Sequence, residues 1–134
     1  MAGNRVRVIL DTNILISAIG FGGVPREIFL LTVEEKIKGI ISQILLAELI
    51  EVVNKKFPKL ITNLPNIEAS INESFVIVQP KKTINIVRDK DDNRVLEAAV
   101  EGECNFIITG GQDLLDLGKF ENIKIVTPSQ FLEE

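Results

Sequence analysis

The sequence predicts a three-layer α/β/α fold on a mainly parallel sheet, and three observations predict it. Five short runs, at residues 6–10, 39–41, 75–78, 106–108 and 123–126, are largely apolar and end at polar or turn residues. These runs do not alternate cleanly between apolar and polar, which is the pattern of strands covered on both faces. Stretches with helical spacing or helix-start signals separate them, and strand–helix alternation is the signature of a parallel sheet. A chain of 134 residues with 46% hydrophobic content can fill one core, so a single domain over 1–134 is expected.

The elements follow in order. Val6 to Leu10 reads as a buried strand ending at Asp11. After the glycine-rich turn at Gly20, Gly22 and Gly23, Pro25 suits a helix start because its missing N–H would be unpaired there anyway, and a helix is expected to about Lys38, stopped by Gly39. Gly39-Ile40-Ile41 reads as the second strand, with Ser42 as N-cap of a helix to about Lys56, before Pro58. Lys59 to Ser74 reads as one or two short helices, one of them opened by Pro65, and Phe75 to Val78 as a strand closed by Pro80. Asp91 or Asp92 is the expected cap of a helix from Asn93 to Glu101, where Val95, Leu96, Ala99 and Val100 repeat at helical spacing. Phe106 to Ile108 is a strand leading into Thr109-Gly110-Gly111 and a short helix near Asp113 to Leu117. Ile123 to Val126 is the last strand, and Pro128 opens a terminal helical turn.

Composition narrows the chemistry. No histidine is present, which removes Ser-His-Asp and Cys-His catalysis. One cysteine, Cys104, can form neither an internal disulfide nor a structural zinc site, and reads as a small apolar residue. The glycines at 20, 22 and 23 lack the ending of a phosphate-binding P-loop. Thr12 and Ser17 have no neighbouring base to make them nucleophiles. No run approaches the roughly 18 apolar residues of a membrane span, and no signal-peptide pattern opens the chain, so a cytoplasmic protein without membrane contact is expected. The net charge of −4 argues against a surface coated in basic residues, yet acids gathered round a metal would account for it.

Those acids fall where such a sheet puts its site, outside the carboxyl ends of its strands. Asp11 directly follows the first strand, Asp113 lies just past the strand at 106–108, and Asp92 lies at a helix start. Alone, Asp92 is most simply a cap. Glu48 shares a helical stripe with Leu45 and Val52, where an unpaired buried charge would cost several kcal/mol. It must be wet, paired with a base or held by a metal. Glu51, four residues before Lys55, is by contrast an ordinary solvated helix pair. Asp11, Glu48, Asp92 and Asp113 together would repel one another unless a hard divalent cation, Mg²⁺ or Mn²⁺, compensated them. All-oxygen ligation of that kind suits hydrolysis of a phosphodiester by metal-activated water. Arg88, Lys90 and Arg94, with Lys81 and Lys82, are candidate phosphate contacts, while base stacking finds little support because most of the phenylalanines lie in apolar runs.

Four ordered motifs now carry a resemblance: Asp11-Thr12-Asn13-Ile14-Leu15, the Ser42-to-Glu48 stretch, Asp89-Lys90-Asp91-Asp92-Asn93 with Leu96-Glu97-Ala98-Ala99, and Thr109-Gly110 ahead of Asp113-Leu114-Leu115. From about Arg5 to Leu132 the chain resembles PIN domain proteins, in particular toxins of toxin–antitoxin systems related to VapC-like ribonucleases. The resemblance implies cleavage of single-stranded RNA with Mg²⁺ or Mn²⁺, an antitoxin partner and a homodimer. It makes Asp11, Glu48 and Asp92 the first three metal acids, has Asn13 order the site and has Thr109 shape the last loop. In one place the chain departs from the pattern: Gly111 stands where the fourth acid is usual, leaving Asp113, or else Asp89 or Asp91, to substitute. A catalytically silent module that binds RNA or an antitoxin is therefore the second reading. A third, an aspartyl phosphotransferase or phospho-acceptor using Asp11, lacks the second aspartate that such sites place at the position of Asn13.

Overall fold

The computed structural model describes residues 5–134. A six-stranded sheet forms the middle layer, in the order β3-β2-β1-β4-β6-β5. β1 (Arg7–Leu10) lies between β2 (Lys38–Ser42) and β4 (Phe106–Ile108); β3 (Phe75–Val78) flanks β2, and β6 (Ile123–Val126) flanks β4, all parallel. The two-residue β5 (Lys119–Phe120) closes one edge antiparallel to β6, a strand too short to be read from its sequence. Crossovers step outward from β1 to β3, then return past β1 to β4. Such crossovers are right-handed, so this reversal puts helices on both faces and opens a crevice at the carboxyl ends of β1 and β4.

The strands are apolar because both faces are covered. Ile9, Leu10, Ile40, Ile41, Ile107 and Ile108 are fully buried, each worth about 1.5–3 kcal/mol of transfer free energy. Among the described residues no single helix is long and apolar enough to cross a membrane.

The helices are α1 (Thr12–Gly20), α2 (Gly23–Val33), α3 (Gln43–Lys56), α4 (Leu64–Ser74), α5 (Lys90–Glu101), α6 (Gln112–Leu117) and α7 (Pro128–Leu132), with a 3-10 helix at Pro58–Asn63. Ser42 caps α3 by accepting from the Leu45 N–H at 3.2 Å, as expected. One helix has no counterpart in the sequence reading: the segment after Asp11 is helical, because Ile14, Leu15, Ile16 and Ala18 bury an apolar face there. Three expectations are corrected. The next helix ends at Val33 rather than Lys38: Glu35 takes a left-handed φ of 60°, and Ile37 turns toward the sheet. Gly39 does not stop a helix but pairs within β2 opposite Phe75. Nor do Asp91 and Asp92 cap α5; Asp89 does, accepting from the Asp91 N–H at 2.8 Å.

At Gly39 β2 and β3 approach closely, since a Cβ there would sit 2.6 Å from the buried Phe75 ring. Gly39→Ala is expected to destabilise the protein by about 1–3 kcal/mol, through overpacking. Phe75→Leu in the same chain should recover part of that loss, and thermal melts of the three variants check both expectations.

Candidate metal and phosphate site

Asp11 stands at the junction of strand and helix, held from several sides. Its main-chain N–H donates to the Ile108 carbonyl at 3.1 Å, and its Oδ1 accepts from the Ile14 N–H at 2.9 Å, so it ends β1 and caps α1 at once. The wholly buried Thr109, following β4, donates its hydroxyl to Asp11 Oδ2 and accepts from the Gly111 N–H at 2.9 Å. Thr109 thereby fixes an acid 98 residues away in sequence.

Glu48 comes from α3. The buried face of this helix is Leu45, Leu49 and Val53. Glu48 lies on the adjacent row with Val52 and Lys56, half-buried, and Thr12 Oγ1 donates to its Oε1 at 2.6 Å. Glu51 makes the expected solvated pair with Lys55, at 3.9 Å.

The third set of acids arrives on α5. Asp89 caps the helix, and Asp91 and Asp92 occupy its first turn. The loop that delivers them is pinned by two buried residues whose roles the sequence did not reveal. Asn93 accepts from the N–H groups of Ile86 and Val87 and donates to the Val87 carbonyl, while Glu97 accepts from the Ile84 N–H and from Arg94. Burial of polar residues in a helix that would otherwise expose them was the missing signal.

Asp11, Glu48, Asp89, Asp91 and Asp92 line one cleft of about 240 Å³, with Asn13, Lys56 and Val95 among the remaining walls. That volume lies below the roughly 300–1,000 Å³ of pockets that enclose a drug-sized ligand.

Uncompensated, these acids perturb one another. Desolvation lifts the Glu48 carboxyl to about 7, with Asp91 and Asp89 adding repulsion against the Thr12 hydrogen bond. Desolvation likewise raises Asp92 to about 6, assisted by the charges of Asp89, Asp11, Asp113 and Asp91. Burial raises Asp11 as well, opposed by its bonds from Thr109, Ile14 and Asn13. Among the described residues no three carboxylates close round a common point as a ready-made ligand cluster. An all-oxygen wall of this kind still fits Mg²⁺ or Mn²⁺, which take one or two carboxylates directly and keep several waters.

The other expected residues take distinct places. Asn13 lies exposed on the cleft wall. Asp113, at the start of α6, is not among the lining residues; its Oδ1 accepts from Arg88 Nη2 at 2.8 Å, although its charge reaches Asp92. Arg88 is thus held at the surface by Asp113, and Lys90 is exposed on the first turn of α5. Arg94 is turned inward, bonded to Glu97 at 2.7 Å and to the Ile84 carbonyl at 3.2 Å, and ties the loop to the helix. Lys81 and Lys82 line a separate depression with Glu97 and Glu101. Lys56 was missed, although spacing by fours from Glu48 finds it.

The PIN domain family matches residues 7–113, a stretch that holds every acid named above. The chain is also similar to the uncharacterized protein MJ1680 of Methanocaldococcus jannaschii, with 35% identity over 143 residues covering 97% of this chain and 92% of that one.

Carboxyls with raised values hold protons in the folded protein that the unfolded chain has already released. Their stabilisation is complete at low pH and is lost as pH rises through about 6 to 7. The metal-free protein is therefore expected to melt lower at pH 8 than at pH 5, and Mn²⁺ should raise its Tm more at pH 8. Asp92→Asn should raise the metal-free Tm at pH 8 by a few degrees and shrink the Mn²⁺ increment. Calorimetry at the two pH values checks this, and a Tm indifferent to both would mean the acids do not repel.

Proposed function

The chain belongs to the PIN domain family, and from that premise we propose that it is a metal-dependent endoribonuclease that hydrolyses single-stranded RNA. The nuclease-type fold comes with the family; the substrate, the metal dependence and the biological role are our reading. One observation carries it: acids from β1, α3 and α5 meet in a single cleft at the carboxyl edge of the sheet.

Asp11, Glu48 and Asp92 are the residues we assign to holding Mg²⁺ or Mn²⁺, with Asp89 beside them. A bound divalent cation supplies charge neutralisation and an activated water for attack on phosphorus. The chain's own groups do the rest. Thr109 and Thr12 orient Asp11 and Glu48 through hydroxyl hydrogen bonds, so these two acids need no reorganisation when substrate arrives. Asn13 lies beside them on the cleft wall, where its amide can order the site. Lys56 and Lys90, with Arg88 held by Asp113, set positive charge round the acids, where the phosphates of a passing strand would lie. Asp113 in this reading lends its charge to the site from outside the cleft. We assign the whole of 1–134 to this one domain and place it in the cytoplasm. There it would act as the toxin of a toxin–antitoxin pair, dimeric and restrained by an antitoxin protein.

The second reading, a silent module that binds RNA or antitoxin without cutting, draws on Gly111. That position can accept an acid: its φ is −79°, and an added Cβ would meet only Thr109 Oγ1, at 3.4 Å. It is also the N-cap of α6, a place aspartate favours.

Purified protein with Mn²⁺ and single-stranded RNA should give cleavage that Asp11→Asn, Glu48→Gln and Asp92→Asn each reduce about 100-fold or more. Equal cleavage by wild type and Asp11→Asn would mark a contaminant and end the nuclease reading. Gly111→Asp should raise kcat severalfold; cleavage that appears only in Gly111→Asp would favour the silent module. Expression in a bacterial host should arrest growth for wild type and not for Asp11→Asn.

A further inference from the structure

Building on the nuclease reading, we propose that Phe21 is a stacking platform for a base of single-stranded RNA, joined to the acidic cleft through Lys56. The chain has seven aromatic residues, all phenylalanine, and only Phe21 is largely exposed, at 72%. The low support that the sequence lends to base stacking does not extend to this ring, which the fold leaves uncovered.

Phe21 is held firmly. It closes α1, its N–H donating to the Ser17 carbonyl at 2.9 Å, and the Gly22 N–H donates to the same oxygen. Arg26 reaches back to donate to the Ala18 and Ile19 carbonyls, at 2.9 and 3.0 Å. On the other side, Gly20 packs so close to Leu60 that a Cβ would stand 2.9 Å from its Cδ1. The ring itself meets Phe57 in a T-shaped contact, with centroids 6.2 Å apart and planes at 77°, which fixes one side and leaves the rest to solvent. A ring preset in this way can stack on a base with little loss of its own freedom.

Position and charge select the occupant. Phe57 directly follows Lys56, which lines the cleft, and the row Glu48, Val52, Lys56 runs on the order of 12 Å along α3 from the acids toward the aromatic pair. Lys56 and Lys59 form no ion pair among the described residues, and Arg26 lies against the same turn. An exposed ring packed on Phe57, the residue after the cleft-lining Lys56, matches the way proteins grip single strands without reading sequence: rings take the bases and cations take the backbone.

The chain has no Trp or Tyr, so Phe21→Trp creates a lone fluorophore at the platform. Titrating that variant with an oligouridylate in Mg²⁺ should give saturable quenching. Leu132→Trp, in a groove with Val6 and Ile37 at the opposite edge of the sheet, should show none. Phe21→Ala should raise KM for RNA cleavage at least about fivefold, the loss of one stacked base, with kcat within twofold. Phe21→Leu should behave like Phe21→Ala, and Phe21→Trp should recover the wild-type KM. An unquenched Phe21→Trp, or an unchanged KM in Phe21→Ala, overturns the platform while wild-type cleavage keeps the nuclease reading. A wild-type dimer that Phe21→Ala dissociates in light scattering with KM unaltered overturns it in favour of self-association. Wild-type protein that neither binds nor cuts RNA overturns both readings.

Discussion

Five carboxylates facing one cleft in a protein without histidine is the constraint on which the site depends. Burial strips them of water, and repulsion among them adds to the cost. Glu48 and Asp92 answer by holding protons to about 7 and about 6. In the proposed reading a divalent cation would replace those protons, and its binding would stabilise the folded domain.

The rest of the structure serves to hold that arrangement against its own repulsion. The apolar strands β1, β2 and β4 form a rigid floor whose carboxyl ends fix where Asp11, Thr109 and α3 begin. Hydroxyls then replace cations as neighbours of the acids: Thr109 for Asp11 and Thr12 for Glu48. On the far wall, Asn93 and Glu97 tie down the loop that ends in Asp89. Positive charge is kept to the periphery. Arg94 is spent on Glu97, Arg88 on Asp113, and Lys56 stands at the outer end of the cleft.

Gly111 and Asp113 shape the loop after β4. The Thr109 hydroxyl accepts from the Gly111 N–H, and Asp113 is engaged with Arg88. Three of the five acids lining the cleft, Asp89, Asp91 and Asp92, come from the start of α5. The loop that delivers them is held by the buried Asn93 and Glu97.

The sequence by itself determined the layered fold, since unbroken apolar runs can be satisfied only by strands covered on both sides. It also bounded the composition of the site: there is no imidazole and no second thiol, and acids stand beside strand ends. Asp11, Glu48 and Asp92 were legible because each sits at an element boundary or on a helix row where an unpaired charge needs a reason. Only the tertiary structure decided which residues meet. Period and capping signals extend a few residues along the chain, whereas Thr109 reaches Asp11 across 98 positions and Arg88 reaches Asp113 across 25. The α1 helix escaped a local reading because its apolar run carries little polar contrast until the core covers one side of it. Asp89 and Asp92 are near neighbours of equal capping character, and backbone geometry gave the cap to Asp89 while leaving both on the cleft wall. Exposure is likewise a property of the assembled surface, so Phe21 became distinct from six chemically identical rings only once the fold had covered them.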